Sequence, residues 1–297
     1  MIIFTEKEHK YDHDGYRPVS GTGFISKFEE EFNREYFLSR GALKELVPDF
    51  AEQKKAWKYS GGRILSQEFL EHLLEQVDIV DFIDRREALA QAWMDKSDLA
   101  CFEGTEYHLA REHESYKRGY ELNPFDGKEY PTIKKKKIKG VDNYSLAENL
   151  YDLEDGYYPE LLVFLPEKIK IKNESGEETD HYWLVGQEDR VFIGTDEQGR
   201  FIDCDDIKTG KKPSKWSMRN EDTGIFAKLK YPVNHLMDCK HQRYELQTSL
   251  YSYMLECHGY RVRNNAYTHI NELVHCEYRK KEIQDMIEYY KINYLNQ

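Results

Sequence analysis

The spacing of apolar residues changes period along the chain. Over residues 24–98 they recur at intervals of three and four, as in FISKFEEEFNREYFL and LSQEFLEHLLEQVDIVDFI. That period predicts amphipathic helices, with Gly61-Gly62 as the clearest break between them. Before this region, residues 1–22 are expected to form a small hairpin: Ile2-Ile3-Phe4 is apolar, His13-Asp14-Gly15 is a turn, and Tyr16 to Val19 follows. Residues 103–120 predict another helix, starting near Thr105 or the glycine before it. A lysine-rich stretch at 123–145, including IKKKKIK, is expected as a loop: either a solvated charge run or an arm that contacts DNA.

From residue 157 the texture becomes strand-like. YYPELLVFLPEKIKIK alternates towards its end, and HYWLVGQEDRVFIGT and RFIDCDDIKTG have strand composition with turn residues between them. Residues 241–258 regain helical periodicity and stop at Gly259, residues 260–270 predict a strand, and residues 281–295 predict a final amphipathic helix. Helix, three strands, helix, strand and helix in this order suit an α/β fold with a mixed central sheet and helices on its faces.

The tightest inference comes from one turn. Asp196-Glu197-Gln198-Gly199 makes a four-residue hairpin connection. If that hairpin is symmetric, Thr195 pairs with Arg200, and counting outward sets Asp189 opposite Asp206. Opposed side chains share a face with Cβ atoms roughly 4.5–5.5 Å apart, so two carboxylates there repel unless a cation lies between them. A hard divalent ion such as Mg²⁺ or Mn²⁺ suits such oxygen ligands. Lys208 stands two residues after Asp206, hence on the same face, where an ammonium can orient a water or stabilise phosphate charge. The alternative is a surface hairpin with a cross-strand charge cluster.

Composition narrows the classes. The chain has 297 residues, 39% hydrophobic and 33% charged, which suits a soluble protein with a real core. A net charge of −12 argues against a protein that coats nucleic acid over its whole surface, while leaving room for a local basic groove. Five cysteines without a CxxC pair argue against a disulfide framework or zinc ribbon. The N-terminal sequence has no basic region followed by an apolar run, and no stretch reaches 18 apolar residues, so neither a signal peptide nor a membrane span is expected. No GxxxxGK[ST] sequence occurs, so no nucleotide cofactor is expected. A cytoplasmic location follows as an expectation.

Four motifs stand in order: Gly104-Thr105-x-x-His108, Gly186-x-x-Asp189-Arg190, Asp206-Ile207-Lys208-Thr209-Gly210, and Gln247-x-x-x-Tyr251. This series resembles the PD-(D/E)XK nuclease superfamily, and within it the RecB-like exonuclease branch, over about residues 100–270. The segment FTEKEHKYDHDGYRPVSGTGFISKF is also similar to the N-terminus of phage and bacterial members. The resemblance implies a restriction-endonuclease-like core of order α-β-β-β-α-β at 100–297, with residues 1–99 as a hairpin and helical region packed on it. It implies that His108, Asp189, Asp206 and the Ile207 carbonyl bind one or two Mg²⁺ or Mn²⁺ ions. Lys208 would activate or position the attacking water. Thr105 would support the His108 turn, and Gln247 and Tyr251, sharing a helix face, would look onto the site and the DNA end; Tyr251 packed on the sheet is the other reading. Arg190 would contact phosphate or pair with a nearby acid. Glu160 matches the acid on the family's first core strand, yet a symmetric 173–180 connection sets Phe164 opposite Asp189 and leaves Glu160 roughly 13 Å along the strand. Cysteine spacing departs from that of the iron–sulfur members, so no cluster is expected.

The expected function is a metal-dependent DNA nuclease, an exonuclease of recombination, repair or phage DNA processing, with single- or double-stranded DNA and a recombination protein as partners. The alternatives are a DNA-binding assembly subunit on a nuclease fold and a restriction-type endonuclease. The helical region, with Trp93, would cap the core, channel single-stranded DNA or dock a partner.

Overall fold

A computed structural model describes residues 2–5, 10–134, 150–172 and 176–295. In chain order the elements are β1 (Ile2–Thr5), β2 (Lys10–His13), β3 (Val19–Ser20), α1 (Gly21–Ser26), α2 (Arg34–Leu46), α3 (Phe50–Tyr59), α4 (Gln67–Leu74) and α5 (Ile79–Arg118). They continue as β4 (Tyr120–Leu122), β5 (Glu129–Pro131), β6 (Gly156–Phe164), β7 (Lys168–Lys172), β8 (Glu178–Tyr182), β9 (Leu184–Asp196) and β10 (Gly199–Lys208). The last are α6 (Lys240–Cys257), β11 (Arg261–His269), β12 (Glu272–His275) and α7 (Lys280–Tyr290).

The fold is mixed α/β. Its central sheet runs β12-β11-β10-β9-β3, with β6 also paired to β9. The β6, β9 and β10 pairings are antiparallel, whereas β10–β11 and β3–β9 are parallel, so the sheet is mixed. A parallel β10–β11 pair needs a crossover, and α6 supplies it, lying against β10, β11, β6 and β9. The inner residues Leu246, Leu250, Met254 and Leu255 of α6 are buried against Val191, Ile193, Ile202 and Cys204 of the sheet. Each such large side chain contributes ~1.5–3 kcal/mol on full burial.

Several expectations change here. The opening hairpin pairs Ile2–Thr5 with Lys10–His13, and the chain after the turn leaves it, so that Val19 and Ser20 join the main sheet beside β9. Phe4, Phe24 and Phe28 are buried in the main core. The break expected near residues 99–103 is absent, because α5 is one helix of 40 residues from the Asp78 cap to Gly119. The helix expected to start at Gly104 or Thr105 is therefore the interior of α5. Thr105 caps nothing: its hydroxyl donates to the Cys101 carbonyl at 3.0 Å. A second, smaller core joins α2, α3 and α4 through Leu43, Phe50, Phe69 and Leu73. Of IKKKKIK, Ile133 and Lys134 end the described stretch, and the rest lies within 135–149, outside the described residues. Among the described residues no helix is long and apolar enough to cross a membrane.

Candidate functional site

The β9–β10 hairpin has the symmetric register that its turn predicts, from Gly199 opposite Asp196 to Asp205 opposite Arg190. One step further, Asp189 and Asp206 share the other face of the sheet, close enough that Asp189 helps raise the Asp206 carboxyl above its usual range. Arg190 is buried and donates to Asp205 at 2.9 Å, with Glu121 3.7 Å away. Its role is thus an internal ion pair on the opposite face from Asp189, not a phosphate contact. Thr268 also donates to Asp205 at 2.9 Å. Burial pushes the Asp205 carboxyl up to about 6 despite the guanidinium beside it.

The expected pairing of β6 is corrected. Phe164 stands opposite Val185, not Asp189, while Pro159 faces Arg190 and Leu161 faces Glu188. Glu160 and Asp189 are therefore bracketed as neighbours, because residues 173–180 do not close a symmetric β6–β9 hairpin. Instead β7 and β8 form a ribbon of their own inside that connection. Glu160 has a φ of 52°, left-handed backbone that is rare for a residue with a side chain. That local irregularity aims its carboxylate at α5.

There it meets His108. The imidazole Nδ1 lies 3.0 Å from Glu160 Oε1 and 3.4 Å from Asp189 Oδ1. Ligand-type atoms of His108, Glu160 and Asp189 all fall within 4.8 Å of one another. Burial works against charge on His108, yet the Asp189 and Glu160 carboxylates push it up to about 11, so the ring is an imidazolium when no cation neutralises the acids. One imidazole nitrogen and several carboxylate oxygens are a donor set that fits Mg²⁺ or, more readily, the nitrogen-tolerant Mn²⁺. The two-acid, one-histidine geometry supports that fit.

Asp206 stands next to this trio through Asp189 rather than inside it. Burial raises its carboxyl above the usual range, Asp189 adds to the effect, and Lys208, its ion-pair partner, opposes it. Lys208 is enclosed. Its Nζ donates to Gln247 Oε1 at 3.2 Å and sits 4.7 Å above the centre of the Tyr244 ring. Burial disfavours its charge, but Asp206 and Asp189 hold the ammonium above the ordinary lysine value. Ile207 contributes its N–H, which donates to Asp189 Oδ2 at 2.6 Å and fixes that carboxylate.

Gln247 and Tyr251 share one face of α6, and Gln247 Nε2 donates to the Tyr251 hydroxyl at 3.3 Å. Only Gln247 reaches the lysine. Tyr251 is 3% exposed and packs on the sheet, beneath Gln247. Its ring lies where a Cβ on Gly186 would come within 2.2 Å and one on Gly21 within 2.4 Å.

Three residues near the site carry no motif signal. Tyr244 lies three residues before Gln247 on α6, one turn away, which helical spacing alone could have flagged. Tyr11 of the opening hairpin is close enough to Glu160 and Asp189 that, after burial, their charges raise its hydroxyl further. Glu188 is fully buried, and among the described residues neither of its carboxylate oxygens has a hydrogen-bond partner. Burial first, then Asp206 and Asp189, push it well above the usual carboxylate range. No family model, no curated protein and no solved structure matches the chain.

Proposed function

We propose that this protein is a metal-dependent nuclease on a restriction-endonuclease-like core, akin to the RecB-like exonuclease branch of the PD-(D/E)XK superfamily. The observation that carries the reading is the meeting of His108, Glu160 and Asp189 beside the Asp206–Lys208 pair. These residues come from α5, β6, β9 and β10, so the fold gathers several acids, a histidine and an enclosed lysine from four elements, the kind of cluster that marks a candidate site.

His108, Glu160 and Asp189 would hold a divalent ion, with Asp206 joining from Asp189's side. When bound, such an ion supplies Lewis-acid polarisation of the phosphate and a water of lowered pKa. Lys208 would set its ammonium against the negative charge that grows on a phosphoryl oxygen. Gln247 and the Tyr244 ring fix the ammonium so that little reorganisation is needed. Ile207 and Tyr251 keep the carboxylate and the glutamine in place.

Digestion of end-labelled linear DNA tests the proposal. Cleavage is expected with Mg²⁺ or Mn²⁺ and not in EDTA. Asp206→Ala should lower it by roughly 10³-fold while the circular dichroism spectrum is kept. Undiminished cleavage by that variant would overturn the site. Covalently closed circular DNA should resist an end-dependent enzyme.

A further inference from the structure

The chain leaves the candidate centre along an arm with its own chemistry. Residues 209–219 follow Lys208 directly and contain Lys211, Lys212, Lys215 and Arg219 but no acid. The arm passes the start of α6, where the His241 N–H donates to the Ser214 carbonyl at 3.2 Å. It then turns through a small hairpin, with Arg219 bridged to Phe226, whose tip rests on α3 and on Ile64.

Charge and stacking surface coincide on this arm. Glu221 and Asp222 at the tip are occupied: Arg40 and Lys54 pair with Glu221, and the Ile64 and Leu65 amides donate to Asp222. Among the described residues no salt bridge engages Lys55, Lys211, Lys215 or Arg219. A cavity of about 760 Å³ opens between the tip and α3, lined by Lys54, Lys55, Lys58 and Arg219 together with the paired Glu221 and Asp222. Along the arm between Lys208 and Arg219, Trp216 is 63% exposed and its ring centre lies 5.7 Å from that of Phe226. Its backbone is fixed, because Trp216 N–H donates to Ser214 Oγ at 3.1 Å and that hydroxyl donates to the Trp216 carbonyl at 2.7 Å.

We infer that the arm and α3 form a track for single-stranded nucleic acid, with Lys211, Lys215, Arg219 and Lys55 on the phosphates and Trp216 under an unpaired base. Cations that follow a backbone, combined with an exposed aromatic platform, are the chemistry that holds single strands without reading sequence. A duplex keeps its bases stacked on each other and offers Trp216 no free face. The inference rests on the nuclease reading for the direction in which the strand is led, but its binding chemistry is measurable without cleavage.

The test uses the full chain in EDTA and a fluorescein-labelled oligothymidylate of about 16 nucleotides. The triple variant Lys55→Glu, Lys211→Glu, Lys215→Glu should bind at least about tenfold more weakly and show a shallower dependence of affinity on salt. Trp216→Ala should weaken binding by roughly fivefold or more, and Trp216→Phe should restore most of it. Melting curves of each variant show that the fold is kept. Unchanged affinity in the triple variant or in Trp216→Ala overturns the track, as does an equal loss for Trp216→Ala on a duplex of the same length. Cleavage by the native protein and its loss in Asp206→Ala are read separately, so the nuclease proposal and the track can fail independently.

Discussion

His108 shows most directly how the centre stores charge. Its ring is held positive by Asp189 and Glu160, which lift it from its ordinary value of 6.5 to about 11. Because the folded value is raised, the stabilisation it gives the metal-free protein is fully present below about pH 6.5 and is lost as pH rises towards 11. Metal-free thermal melts between pH 7 and 10 should therefore fall with pH, and His108→Gln should flatten that fall. A cation that takes Nδ1 must also expel the proton. Calorimetry of Mn²⁺ binding at neutral pH, in buffers of different protonation enthalpy, should show release of about one proton. Proton-independent binding would mean that His108 is not a ligand.

At the scale of elements, the close seat of α6 on the sheet sets the reach of Gln247. Tyr251 fits only because Gly21 and Gly186 leave room for its ring. Gly186→Ala would push a methyl into that ring, so either the ring or α6 must shift, at a cost on the order of 1–3 kcal/mol. A melting temperature lower by several degrees is expected, with a larger loss in kcat than in KM, because Lys208 loses the support of Gln247. Gly186→Ala with native stability and native kcat would show that the seat is looser than its geometry. The hairpin register also belongs to this scale. The Asp196–Gly199 turn was symmetric and placed Asp189 beside Asp206 from sequence alone, whereas the β6–β9 register was hidden because an extra ribbon occupies the connection.

For the whole molecule, the helical unit built on Leu43, Phe50 and Phe69 is tied to the sheet by α5 and by the tip of the 209–230 arm. Asp222 is the clasp at that tip, accepting the Ile64 and Leu65 amides at 2.5 and 2.8 Å. Asp222→Ala should cost about 1–3 kcal/mol, since two partly buried donors lose their acceptor. Hydrogen exchange should then speed up at Ile64, Leu65 and the 219–227 hairpin while the α6 core stays protected. Faster exchange throughout α6 instead would mean that the two units unfold as one.

Local patterns determined much of this protein. Residue spacing marked α6, the strand after it and the last helix, and the composition of one turn placed two carboxylates and a lysine on one face, since strand alternation and hairpin register are short-range properties. What packing decided was different in kind. The uninterrupted run of α5 past residue 100, the left-handed turn of the backbone at Glu160, the burial of Arg190 with Asp205 and the glycine seat under Tyr251 depend on residues far apart in the chain. Glu160 is the clearest instance. Counting along the strand set it roughly 13 Å from Asp189, and only the tertiary pairing of β6 with β9 brought its carboxylate to 3.0 Å from His108, because a register between strands separated by a long connection is fixed by side-chain packing on both faces and not by the connection itself.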